Sequence, residues 1–130
     1  MKLRYALALP VLLLSTMACA GEDGVLFKVV LLKDEHVVTS PWVMGEFGQQ
    51  VTVEMSQTMK FVGVASAPDG EGHSLMTVTL SLFIDGAMQP GKEMSMLADL
   101  SKTPSIEYTV PGTAYHFVVT PTQVKLPGSG

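Results

Sequence analysis

From Leu75 to Ile84 the chain alternates strictly, with Met76, Val78, Leu80, Leu82 and Ile84 on one parity and Leu75, Thr77, Thr79, Ser81 and Phe83 on the other. A period of two sends successive side chains to opposite faces of a strand, so the first set is expected in a core. Slipping the register by one residue would turn that whole apolar set to water, so the pairing is strongly specified. A chain carrying this segment is committed to a sheet, and the rest of the sequence must supply its neighbours.

Turn chemistry cuts the remainder into short β-prone runs. Val25 to Lys33 is a continuous apolar run broken only by Lys28, read as a buried or half-buried strand, and Asp34-Glu35 follows as a turn. Val51, Val53 and Met55 alternate with polar residues, and Met59 to Ala67 is strand-like, with Gly63 marking a bulge or a close backbone approach. Pro68 to Gly72 is turn-forming throughout and separates two β-prone runs as a hairpin. Asp85-Gly86 and Gln89-Pro90-Gly91 are further turns. Met94, Met96, Ala98 and Leu100 share a parity; helical spacing also fits Met94, Leu97 and Ala98, but alternation covers more residues and a strand is expected. Ser105 to Val110 and Ala114 to Thr120 form a last pair around Pro111-Gly112. About eight short antiparallel strands with no convincing helix predict an all-β fold, a small sandwich or partly open barrel.

The first twenty residues stand apart from that domain. Lys2 and Arg4, the apolar residues Leu7 to Leu14, and the small-residue stretch Ser15 to Ala20 form an export signal. The apolar run is too short for a bilayer, which takes about 20 residues. Ala18-Cys19-Ala20 is a cleavage site that would release a chain starting at Gly21. Thr16-Met17-Ala18-Cys19 resembles a bacterial lipobox, in which Cys19 carries the lipid. The expected location is therefore periplasmic, soluble or lipid-anchored through Cys19. Residues 21–126 are expected to form a single β-domain and 127–130 to fray. That domain has no cysteine, so it holds together without disulfides. Without the signal, six lysines face twelve acids, a net charge of −6. Acidity, scattered lysines and the lack of any arginine argue against nucleic acid and anionic lipid, leaving a lipid on Cys19 as the membrane contact.

Ser40 to Met55 holds an X-Pro pair, a strand, a glycine turn at Gly45 to Gly48 and an alternating strand. Pro41 lacks the ladder N–H, which places its strand at a sheet edge or a bulge. Val43 is expected in the core, leaving Trp42 partly exposed as a contact anchor with Phe47 at the turn; the alternative has Trp42 closing one end of the core. A looser echo runs from Thr103 to Val119: Pro41, Val43, Phe47, Gly48, Val51 and Val53 match Pro104, Ile106, Val110, Gly112, Tyr115 and Phe117, with Pro111 as one extra residue.

This arrangement resembles a motif in the β-domain of type II and type III secretion secretins, and in short secretin-like periplasmic modules, over roughly Val37 to Pro121. The chain has no room for a secretin's long membrane-inserting hairpins or ring-building domains, so the resemblance implies a β-module that pairs with other protein surfaces and not a channel.

The sequence carries few signatures of catalytic or ligand chemistry. There is no G-x-S-x-G, H-E-x-x-H, phosphate-binding glycine loop or C-x-x-C, and no cofactor is expected. His36, His73 and His116 lie far apart, and no spacing brings Glu54 to Glu107. His36, Trp42, Met44 and the Met94/Met96 pair loosely resemble the ligands of small periplasmic Cu(I)-binding barrels, although Met94 lies about fifty residues from the tryptophan. The bland account is that methionine fills gaps in the core. Three functions remain open: an exported non-enzymatic β-module acting through protein contacts, as an accessory to an envelope assembly; an inhibitor or immunity protein against a toxic enzyme; and a Cu(I) binder.

Overall fold

A computed structural model describes residues 23–127. The segment expected to be an export signal, with Cys19, and the expected frayed residues 128–130 lie outside the described residues.

The apolar run after Asp23 forms β1 (Asp23–Lys33), and it is central because both its edges are paired. On one side lies β10 (Tyr115–Lys125), antiparallel over the full length from Asp23↔Lys125 to Lys33↔Tyr115. On the other lie β2 (His36–Thr39) and β3 (Trp42–Glu46) in succession, and β9 (Ile106–Thr109) closes the sheet beyond β10. The second sheet orders β4 (Val51–Met55), β5 (Met59–Ala65) and β6 (His73–Ile84), with β7 (Ala87–Met88) and β8 (Lys92–Asp99) sharing the far edge of β6. If each split edge is counted once, two antiparallel sheets of four strand positions face one another, which is the expected all-β sandwich.

The facing sides hold the core. Val25, Phe27, Val29 and Leu31 of β1, with Phe117 and Val119 of β10, meet Met59 and Phe61 of β5 and the predicted face of β6, Met76 to Leu82. The Phe27 and Phe61 rings bridge the layers at 5.2 Å between centroids, tilted by 55°. Gly63 forms no bulge, since β5 keeps its register on both sides; a Cβ there would lie 2.4 Å from the Phe61 ring, so the glycine makes room for a core aromatic.

Three features go beyond the sequence expectations. First, the two strands of Ser40 to Met55 do not pair with each other: β3 pairs with β1 and β4 with β5, so the glycine turn carries the chain from one sheet to the other. Thr103 to Val119, by contrast, does close a hairpin, β9 on β10. The two halves of the echo thus differ in connection. Second, the final strand does not stop at Thr120 but runs through Pro121 to Lys125. The Val29 N–H donates to the Pro41 carbonyl at 2.9 Å, so peptide groups of that parity on β1 face β3. Phe27 shares the parity and sits opposite Pro121, so the position of the missing proline N–H faces away from β1 and costs that ladder nothing. Third, Ala87–Met88 is a strand.

That last strand reveals an internal likeness of a different kind. Each sheet has a long strand, a two-residue turn with both residues at positive φ (Asp34 and Glu35 at 51° and 67°, Asp85 and Gly86 at 54° and 79°), and a short returning strand. The chain then breaks at Pro41 or Pro90 and resumes along the same partner. Positive φ at both central positions is the type I′ signature of tight hairpins.

Closure is unequal on the two sides. β3 and β4 approach each other where the chain changes sheets, whereas β8 and β9 make no comparable approach.

Candidate functional site

The outer faces of the two sheets differ. On the β4–β8 sheet the outward parity mixes polar residues, among them Thr52, Glu54, Lys60, Thr79, Ser81 and Glu93, with Val62, Val64, Leu75, Phe83 and Leu97. On the β1 sheet it carries Leu26, Val30 and Leu32, flanked by Met44 and Val118. Trp42, the sole tryptophan, stands beside this stripe. It lies directly across from Lys28 on β1 and is 59% exposed, while Val43 on the opposite parity packs against the core. Alternation in an edge strand forces that division: one of two neighbours goes in and the other goes out. Phe47, the other residue singled out for contact, is half-buried against the core where the chain changes sheets, so it is not part of the exposed face.

The proposed copper ligands do not converge. His36 is exposed on β2 and Met44 lies on the outer face of β3, on the side where β3 meets β4. Met94 and Met96 are on β8, at the far edge of the other sheet, and pack against the core. The four residues therefore form no common cluster, and the methionine pair packs against the core. Among the described residues no three His, Cys, Asp or Glu side chains gather to hold a metal ion. Glu54 and Glu107 sit in different sheets and form no carboxylate pair.

One polar cluster escaped the sequence reading. His116 on β10 bonds Thr109 Oγ1 through Nδ1 at 2.8 Å and Glu107 Oε1 through Nε2 at 3.0 Å, both on β9. Both partners are exposed. It clasps the edge strand β9 to β10 across the outer face. The cross-strand offsets would have signalled it had the Ile106↔Val119 register been known.

The β5–β6 turn is held by Asp69, whose Oδ1 accepts the backbone N–H groups of Glu71 at 2.8 Å and His73 at 3.0 Å. Those bonds, led by that from His73, hold the Asp69 carboxyl below its ordinary pKa. Asp99 is lowered likewise, first by the Ser101 hydroxyl and then by the Ser101 N–H. Both carboxylates serve turns.

No family model, curated protein or solved structure matches this chain.

Proposed function

We propose that this chain is an exported, non-enzymatic β-module that works through protein contact in the cell envelope, with the outer face around Trp42 as its docking surface. The observation that carries the reading is the exposure of the sole tryptophan, 59% open to solvent, beside Leu26 and Met44 on the outer face of the β1 sheet. A large aromatic left in water contributes little to folding, and tryptophan is enriched among residues whose truncation costs about 2 kcal/mol or more in binding. The occupant we propose is a protein of an envelope assembly, the setting suggested by the export signal and the secretin-like motif. Lys28, directly opposite Trp42, favours an acidic rim on that partner.

Trp42→Ala is the test. The variant should unfold at the temperature of the parent and lose retention of a discrete envelope protein, whose reciprocal capture then confirms the pair. Emission from Trp42 should shift to the blue when that purified partner is added. A variant that unfolds, or a partner that binds it as tightly as the parent, overturns the reading.

A further inference from the structure

The open side of the sandwich, opposite Trp42, carries a second kind of surface. Its edge is β8. The Ser66 N–H donates to the Leu75 carbonyl at 2.9 Å and the Gln89 N–H to the Leu82 carbonyl at 2.8 Å. Peptide groups of odd-numbered β6 residues therefore face β5, and those of even-numbered residues face β7 and β8. Ser74, Met76, Val78 and Leu80 bond Ala98, Met96, Met94 and Lys92, so the N–H and C=O groups of Glu93, Ser95 and Leu97 point outward. This makes a regular open edge of eight residues with no proline or bulge.

The other edges are blunted. The β2–β3 edge is interrupted by a register shift and by Pro41, and β9 is four residues long between Pro104 and Pro111. β10 carries Pro121 where it runs past β9, and β4 has only five residues. A long, regular, unprotected edge is a template for another strand.

Two further observations say what would lie on it. The inward side chains Met94 and Met96 pack on the core yet remain half-exposed, so the core is uncovered on this side. On the outer face, Leu97 and its opposite neighbour Leu75 are 62% and 52% exposed, and Glu93 is exposed two positions beyond Ser95.

We infer that β8 accepts an extended segment of a different polypeptide as an added antiparallel strand. That segment carries an apolar residue opposite Leu97, a small polar one opposite Ser95, and a lysine or arginine opposite Glu93, with apolar residues between them to cover Met96 and Met94. Main-chain bonds supply the affinity, and alternate side chains set the choice. A second copy of β8 fits less well: antiparallel self-pairing about Ser95 sets Glu93 against Leu97, and one pair further on Glu93 meets Asp99. Pairing about Leu97 leaves Glu93 beyond the ladder, and pairing about Met94 leaves Leu97 beyond it. The inference shares with the proposed function only the premise of protein contact. It lies on the opposite side from Trp42, so Trp42→Ala should leave it untouched.

The probe is the synthetic peptide Thr-Leu-Val-Thr-Val-Lys-Thr added to the purified protein, read by amide hydrogen exchange. The amides of Glu93, Ser95 and Leu97 should exchange rapidly alone and become protected with peptide, while those of Met94 and Met96 stay unchanged. N-methylation of the peptide threonine opposite Ser95 should weaken binding about ten-fold or more, since it removes a ladder bond. N-methylation of the valine opposite Met94, whose N–H points away, should be tolerated. Glu93→Lys should weaken this peptide by up to about five-fold and strengthen a version with glutamate in place of its lysine. Ser95→Pro should block binding while keeping the bonds to β6; if it fails to fold, the N-methyl pair decides. Absence of protection at millimolar peptide, or equal binding of both N-methyl forms, overturns the inference. So does concentration-dependent protection of these amides without peptide, which would make a second copy the occupant.

Discussion

Two small or exposed residues show how strongly a single position depends on its surroundings. Gly24 sits opposite Glu46, and a Cβ built there would lie 2.5 Å from the Gly45 carbonyl oxygen. Backbone cannot rotate aside as a side chain can. Gly24→Ala should therefore push β3 from β1 and destabilise by about 1–3 kcal/mol, measured as a lower midpoint in urea. Trp42 is the opposite case. It is larger than any core residue yet mostly exposed, so Trp42→Ala should change stability by no more than about 0.5 kcal/mol. The division of Val43 and Trp42 between core and solvent was legible from alternation and the proline beside them. The His116 clasp was not, because the strand offset that brings Glu107 and Thr109 to it belongs to the fold and not to any short window of sequence.

At the scale of elements, the two type I′ turns differ in fitness. Asp85-Gly86 places glycine at positive φ, whereas Asp34-Glu35 places glutamate there at 67°. A side chain in the left-handed region costs roughly 1–2 kcal/mol, part of which glycine returns as unfolded-state entropy. Glu35→Gly should then stabilise by about 0.5–1 kcal/mol, and Gly86→Glu should destabilise by a similar amount, both read from thermal unfolding. The turns at Asp69 and Asp99 respond to acid. Each carboxyl is held below its ordinary value of 3.8, so its contribution is complete above that value and is lost as pH falls through the lowered folded value. Protection of the Glu71, His73 and Ser101 amides, relative to their intrinsic exchange at the same pH, should fall there before that of β6. Strand positions could be read because alternation and turn residues are local. Partnership could not: β3 and β4 look like a hairpin until their ladders are traced, and Pro121 looks like a stop until its missing N–H is found to face away from β1.

Across the molecule, the governing contact is that of β1 with β10, which joins the two ends of the described chain; Asp23 and Lys125 close it with an ion pair at 2.7 Å. A chain ended after Thr113 would lose Phe117 and Val119 from the core and uncover one edge of β1. It should show no cooperative unfolding transition in urea. The same pairing sets a clock. The partner of the first strand is the last one made, and about ninety residues separate the ends of β1 and β10. At synthesis rates of about 5–20 residues per second, β1 waits roughly 5–20 s with the apolar run from Val25 to Leu32 lacking its main neighbour. For that interval the newborn chain is obliged to stay open. An apolar strand left unpaired in this way is the kind of surface through which newborn chains aggregate.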